Sequence, residues 1–523
     1  MNQKPFTKLL SLSLAACLLA GCSSTSSPSS TSSSSSAPDG GQSASSSAES
    51  PSPAGDEAPL VVTMYLGCSV VEFPPDGNEI ETMIEEYVGG VDFKISAYSG
   101  TVLHEMMPTL IASGDMPMVA NVGGSQLSKS YMIDAMRGGE FWDVTDYINN
   151  IDNFKDINPA AISNYAIAGR IYGLPLERGI SRDSVTYRYD WLQKLGLDDP
   201  KTVDELIDMM KLFTTGDPDG NGANDTYGTV TNPLGRIAVA LGAPNNWRYQ
   251  DGQMIKAELT EEYAKALDIC RELYAMGAIH PEFAIRERAD YEGDFIEGRG
   301  GIYLNTSTDI TAFQNQMVQK EAVLHSSNIY TNAEGKIYTS AGRGNNGVLL
   351  FSKKAIPDQA TLDKVINIFD RLADEEMCNL LALGIEGVNY QVVDGVAKML
   401  EDDGSNGVYY TDKIYNPYTI PLAVRWPNLR TMPVELAYGA QRNLEIIEEN
   451  APYAVADDSM GLISELYNDI GAELDTLLSD AKTLYIMGEI DKNEYNNRLE
   501  QWRKQGGDDI AAEYASLYAS ERM

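Results

Sequence analysis

The chain has 523 residues, with 76 acidic side chains against 39 lysines and arginines, a formal net charge of −37. A surface this acidic disfavours nucleic acid and anionic polymers, and suits a neutral sugar or a cationic peptide better. Its five cysteines and three histidines supply no disulfide framework, no spaced zinc ligands and no Ser/His pair.

Lys4 and Lys8 precede an apolar run from Leu9 to Ala20, too short for a permanent membrane helix, and the run ends in Leu19-Ala20-Gly21-Cys22. Small residues ahead of a cysteine resemble a bacterial lipobox. Residues 1–21 are then a lipoprotein signal peptide and Cys22 becomes a diacylated anchor, whose two acyl chains suffice for stable attachment to the outer face of the cell membrane. Removing Lys4 and Lys8 with the leader takes the net charge from −37 to −39. Residues 22–58 are dominated by Ser, Ala, Pro, Gly and Thr and predict a disordered tether with a reach of roughly 35 Å. No later stretch is long and apolar enough to span a bilayer.

From residue 59 onward the chain is too long for one small core and predicts two lobes. Pro59–Leu66 is a continuous apolar, β-branched run, the pattern of a buried parallel strand. A helix near Glu79–Tyr87, a strand over Val91–Ile95, a helix over Thr101–Ala112 and a strand through Val119 continue a β-α-β-α-β rhythm, with Pro108 expected to kink the second helix. His104 is expected on a helix surface. Ser184–Tyr189 reads as a strand crossing between lobes. Thr202 and Glu205 form a capping box ahead of an apolar helix. Further on, Val348–Ser352 reads as a strand, Asp358–Asp374 as an amphipathic helix, and Gly461–Met487 shows helical spacing at Leu466, Ile470, Leu474 and Leu478.

Asp217–Gly228, DPDGNGANDTYG, has a sharper pattern. Asp217, Asp219, Asn221, the Ala223 carbonyl and Asp225 fall at positions 1, 3, 5, 7 and 9, with Gly222 at the turn, as in an EF-hand-type calcium loop. Position 12 is Gly228, where a bidentate Glu would stand. The same residues also build ordinary turns with no ion. Three carboxylates this close repel one another unless a cation sits among them.

RYDWLQKLGL, PKTVDELIDMMKLF and DPDGNGANDTYG, in that order, resemble the extracellular solute-binding lipoproteins of carbohydrate ABC importers. That resemblance implies an α/β type II periplasmic-binding-protein fold of two hinged lobes with a ligand cleft between them, and a structural calcium site in the second lobe. SGDMPM resembles the family's S-G-D-x-P-D turn, with Met118 in place of its final Asp. Phe141–Tyr147 and Gly169–Pro175 resemble the entry to the hinge, and Asp294–Tyr303 the return crossing. The expected boundaries are 59–178 with about 300–345 in lobe 1, and 179–299 with about 346–523 in lobe 2, the C-terminal helices being able to return to lobe 1.

Candidate ligand contacts are aromatic platforms and polar groups beyond strand ends. Trp247 and Trp426 lie in loops; Trp142, Trp191 and Trp502 read as core. Tyr65 and Gly67 follow the first strand, and Asn121 and Gly123 the third. Glu177 and Arg178 sit at the hinge, Asn305 after the return strand, and Arg343 before another strand. No arrangement singles out a glycosidase pair, a nucleophile elbow or a phosphate-cradling loop. The expected function is capture of an oligosaccharide by a monomeric binding protein and delivery to a membrane permease without chemistry. A peptide or other solute is the alternative ligand, and an extracellular carbohydrate-active enzyme the remaining alternative.

Overall fold

The computed structural model describes residues 58–68, 73–400, 418–425 and 431–522. The leader, Cys22, the tether and Trp426 lie outside the described residues. Among those described, no helix is long and apolar enough to cross a membrane.

Nine strands build the two main sheets: β1 (Leu60–Cys68), β2 (Val91–Ser99), β3 (Val119–Val122), β4 (Gly173–Glu177), β5 (Asp183–Arg188), β6 (Tyr227–Thr229), β7 (Gly300–Thr306), β8 (Leu324–Ser327) and β9 (Asn345–Phe351). The first sheet has the order β2-β1-β3-β9-β4, the second β8-β5-β7-β6. In the first, β1 runs parallel to β2 and β3, whereas β9 is antiparallel to β3 and β4. Each of these sheets has a core of its own. One gathers Phe93, Phe141, Phe154, Phe351 and Phe369 around the first sheet. The other gathers Trp191, Phe213, Tyr485 and Tyr495 around the second.

β1 departs from the expectation of burial on both faces. Val62, Met64 and Leu66 are fully buried, but Val61 is 47% exposed and Thr63 and Tyr65 are half-buried. Alternate side chains of a strand point to opposite faces, and only one face of β1 meets the helices closely.

Local signals held where they needed no distant partner. Helix Val203–Thr215 carries the capping box: Thr202 Oγ1 accepts from the Glu205 N–H at 3.1 Å, and Glu205 Oε2 accepts from the Lys201 and Thr202 N–H groups at 2.8 and 3.0 Å. Cys270 and Cys378 are buried, and neither is joined in a disulfide. His104 is not a surface group: it is half-buried, and its Nε2 accepts from the Gly123 N–H at 3.3 Å. Burial lowers its pKa, which keeps the ring neutral and able to accept.

The lobe boundaries need correcting. β7 lies between β5 and β6, with Ile302 and Tyr303 wholly buried in the second lobe. Residues 300–340 therefore belong to the second lobe, and the glycine-rich stretch before β7 is no return crossing. Conversely, β9 and helix Gln359–Arg371 pack into the first core, as do Tyr418, Leu422 and Val424, so residues 345–385 and 418–425 belong to lobe 1. Helix Tyr438–Asn450 then packs on β5 and β8, and helix Glu465–Met487 on helix Glu261–Ala275 in lobe 2. The C-terminus also touches lobe 1, where an Arg522 N–H donates to the Ser163 carbonyl at 3.2 Å.

Candidate interlobe binding site

Among the described residues the chain passes between the lobes at 178–182, at 341–344 and at 436–437. The first two passes are bonded to one another. The Arg178 N–H donates to the Gly344 carbonyl at 2.8 Å, and the Gly342 N–H to the Ile180 carbonyl at 2.6 Å. Asn450, fully buried, clips the same ribbon from lobe 2: its Nδ2 donates to the Ser181 and Asp183 carbonyls at 3.4 and 2.9 Å.

Two cavities flank this ribbon. The larger, about 490 Å³, lies at the carboxyl ends of β6 and β7 and is closed on one side by Ser340, Ala341 and Gly342. Asn232, Arg236, Asn245 and Tyr263 give it a mixed polar wall. Arg236 is ion-paired with Asp183 and donates to the Asn305 carbonyl at 3.2 Å, so its charge is spent. The smaller cavity, about 190 Å³, is lined from both lobes: Ser128 comes from lobe 1, Arg343 from the ribbon, Asn246 from lobe 2, and Asp457 and Ser459 from the segment before the closing helices. Asn246 borders both cavities. The larger cavity has the size of several hundred cubic ångströms that is usual for a small-ligand site, and the smaller has room for about one sugar ring.

The candidate residues fall into three groups. Arg343 lines the smaller cavity, and Asn305 adjoins Leu304 of the larger one. Gly67, Gly123 and Arg178 lie at the strand ends that face the ribbon, but the Gly123 N–H is engaged by His104. The others are occupied elsewhere. Tyr65 lies three residues inside β1, its ring edge-on to Tyr98 at 5.4 Å. Asn121 is 7% exposed and points its amide at the Pro421 carbonyl of lobe 1. Glu177 is buried against Arg425, whose Nε donates to its Oε2 at 2.7 Å. Trp247 borders the smaller cavity but is only 2% exposed; Trp502 and Tyr514 pack on it with centroids 6.1 and 5.5 Å away, and Lys256 Nζ stands over the ring. A platform for a sugar needs an exposed face, which a ring only 2% exposed does not offer. Reasoning from the sequence passed over Arg236, Asn245, Asn246 and Asp457; the signal for two of them was the asparagine pair directly before the tryptophan.

The loop at 217–228 is shaped as a tight acidic turn. Asn221 Nδ2 donates to Asp219 Oδ2 at 2.7 Å and to the Asp225 carboxylate at 3.0 and 3.2 Å, so an amide stands where positive charge is wanted. Asp217 Oδ2 accepts from the Gly222 N–H at 3.1 Å, while Asp217 Oδ1 is buried with no hydrogen-bond partner. Among the described residues no three acidic, histidine or cysteine side chains are grouped closely enough to cage a metal. The donor set is nonetheless hard oxygen, and the orphaned Asp217 Oδ1 is the atom a cation would satisfy. Gly228 explains the missing twelfth ligand: it lies in β6 against helix Val203–Thr215, and any Cβ there would collide with the Met210 carbonyl.

Residues 74–335 match the family model described as bacterial extracellular solute-binding protein. The chain belongs to that family. Two similar proteins from Bacillus subtilis (strain 168) are Lipoprotein LipO, 26% identical over 98% of this chain and 99% of its own, and the polygalacturonan/rhamnogalacturonan-binding protein YtcQ, 27% identical over 85% and 89%. Among solved structures, an EF-hand mutant of the ABC-transporter substrate-binding protein FusA of Streptococcus pneumoniae, in complex with fructo-nystose, superposes with a TM-score of 0.59 at 18% identity, covering 88% of this solute-binding chain and 99% of FusA. The two-lobed α/β solute-binding fold is thereby shared.

Proposed function

We propose that this solute-binding protein captures an oligosaccharide between its lobes and presents it, unaltered, to the membrane permease of an ABC importer. The observation that carries the reading is the pair of polar-lined cavities on either side of the bonded ribbon, one of them lined from both lobes at once. A guest that touches both walls binds the shut form better than the open one, and that difference in affinity shifts the population towards closure. Carbohydrate is the ligand class in the names of YtcQ and the FusA complex. The two differ in charge, since pectin-type chains carry carboxylates and fructo-nystose does not. Anchoring through Cys22 on the outer face of the membrane is supported by the order of charged, apolar and small residues before it, and by full-length similarity to a protein named as a lipoprotein.

Calcium belongs to the same reading as a structural ion. Asp217, Asp219, Asn221, the Ala223 carbonyl and Asp225 would hold it, and its charge would replace the Asn221 amide as the counterweight to the three carboxylates. It would brace the turn between helix Val203–Thr215 and β6.

A thermal-shift screen of the mature chain against oligosaccharides and peptides, followed by product analysis of the hits, tests the function. One class of oligosaccharide should raise the midpoint and be recovered intact. A response to peptides alone, or cleavage above the no-protein control, overturns the reading.

A further inference from the structure

Arg343 differs from the other arginines described around the cleft. Arg236 is paired with Asp183, Arg425 with Glu177 and Asp156, and Arg248 donates to the Gly242 carbonyl. The Arg343 guanidinium has no hydrogen bond and no ion pair among the described residues, although it is half-buried and lines the smaller cavity. Its position is nevertheless fixed. The carbonyl of Arg343 accepts from Asn164 Nδ2 at 3.2 Å, which pins the backbone to lobe 1. Its aliphatic stem lies on Gly124, where an added Cβ would stand 2.9 Å from Cδ and 3.3 Å from Nε. The one acid lining the same cavity is already engaged: Asp457 Oδ1 accepts from the Ser459 N–H and hydroxyl at 3.0 and 2.7 Å, and Oδ2 from Asn246 Nδ2 at 2.8 Å. Asp457 therefore lends Arg343 attraction at a distance but no acceptor.

A guanidinium stays charged in proteins, and partial burial without an acceptor is costly. Its planar fork matches the two oxygens of a carboxylate better than any single sugar hydroxyl. We infer that the guest is an oligosaccharide bearing a uronic acid, seated with its carboxylate on the Arg343 fork in the smaller cavity. This rests on the oligosaccharide reading above. Ser128, Ser459 and Asn246 stand around the same space, the last two already bonded to Asp457. The net charge of −37 does not oppose this at contact, because exposed charges are screened beyond about 8 Å at physiological salt. It slows the approach instead, so added salt should raise the association rate of an acidic ligand while weakening its hold.

The test is isothermal titration of the mature chain with oligogalacturonate, oligoalginate and oligoglucuronate trimers, their methyl esters, and neutral trimers of equal length. One free acid should bind at least about tenfold more tightly than its ester, the worth of a charged hydrogen-bond pair. R343Q should abolish that preference and leave the melting midpoint intact, since no internal partner is lost. R343K, which keeps the charge but not the fork, should fall between. Equal affinity for acid and ester, or a preference that survives in R343Q, overturns the inference. Binding of neutral trimers alone removes the uronate and leaves the oligosaccharide reading standing; no binding by any glycan removes both.

Discussion

Replacing Glu177 by Ala separates a strut from a ligand contact. The Glu177 side chain is 6% exposed and that of Arg425 4%, and the two are joined at 2.7 Å. Arg425 also reaches the Asn153 carbonyl and Asp156, but Asp156 is 66% exposed and holds the guanidinium from the solvent side. Removing one member of a buried pair leaves the other charge stranded, at about 3–5 kcal/mol. The remaining exposed partner offsets about 0–1 kcal/mol of this, so a loss of about 3 kcal/mol is expected. In urea unfolding of the mature chain that corresponds to a midpoint lower by about 1 M for a steep transition. Ligand affinity per folded molecule should not change, because the carboxylate faces Arg425 and not a cavity. Glu177→Leu combined with Arg425→Met should recover most of the stability, since an apolar pair of similar volume is commonly as stable as a buried ion pair. An unchanged urea midpoint together with abolished binding would refute the assignment of Glu177 as a strut.

Calcium at about a hundredfold its dissociation constant should stabilise the chain by about 2.7 kcal/mol, and Asp217→Asn should remove that gain; identical melts in EDTA and in calcium count against an ion in the loop. Trp247→Ala should cost about 3–5 kcal/mol by emptying the packed site beside Trp502, with binding retained by the folded fraction; a stable variant that no longer binds would return Trp247 to the ligand. Burial, followed by the neighbouring Asp76, pushes the Glu81 carboxyl up to about 7 from its ordinary 4.5, so the folded chain holds this proton more tightly than the unfolded one. Its stabilising contribution is therefore complete below pH 4.5 and lost as pH rises through 7, and Glu81→Gln should flatten that slope in melts from pH 4 to 8; parallel profiles for the two proteins would dismiss it.

The parts of this molecule that were legible in the sequence are those set by short-range chemistry. Thr202 and Glu205 jointly cap their helix, and the spacing of Asp219 to Asp225 brings two carboxylates onto the Asn221 amide, although no three acids are grouped there among the described residues. Long-range pairing was not legible. Gly300–Thr306 has the look of a crossing strand, and only its partners β5 and β6 show that it is the interior of the second sheet. Trp247 reads from the sequence as a loop residue, which ordinarily suggests exposure; in the structure it opens strand Trp247–Gln250, paired with Gln253–Lys256, and the helices that cover it start more than two hundred residues later. Glu177 stands where a ligand contact was expected, but its partner Arg425 comes from a distant segment. Arg343 could be placed from its position before a strand, whereas its lack of a partner among the described residues is a fact about three dimensions alone.

The bonded ribbon between the lobes has a mechanical consequence. Two strands tied side by side yield to flexure across their width far more readily than to torsion or shear, which would break the bonds between Arg178 and Gly344 and between Gly342 and Ile180. Were the lobes to part, these bonds would favour one arc, like a book on its spine. Every visitor meets the same mouth, and selection falls to the chemistry of the two pages.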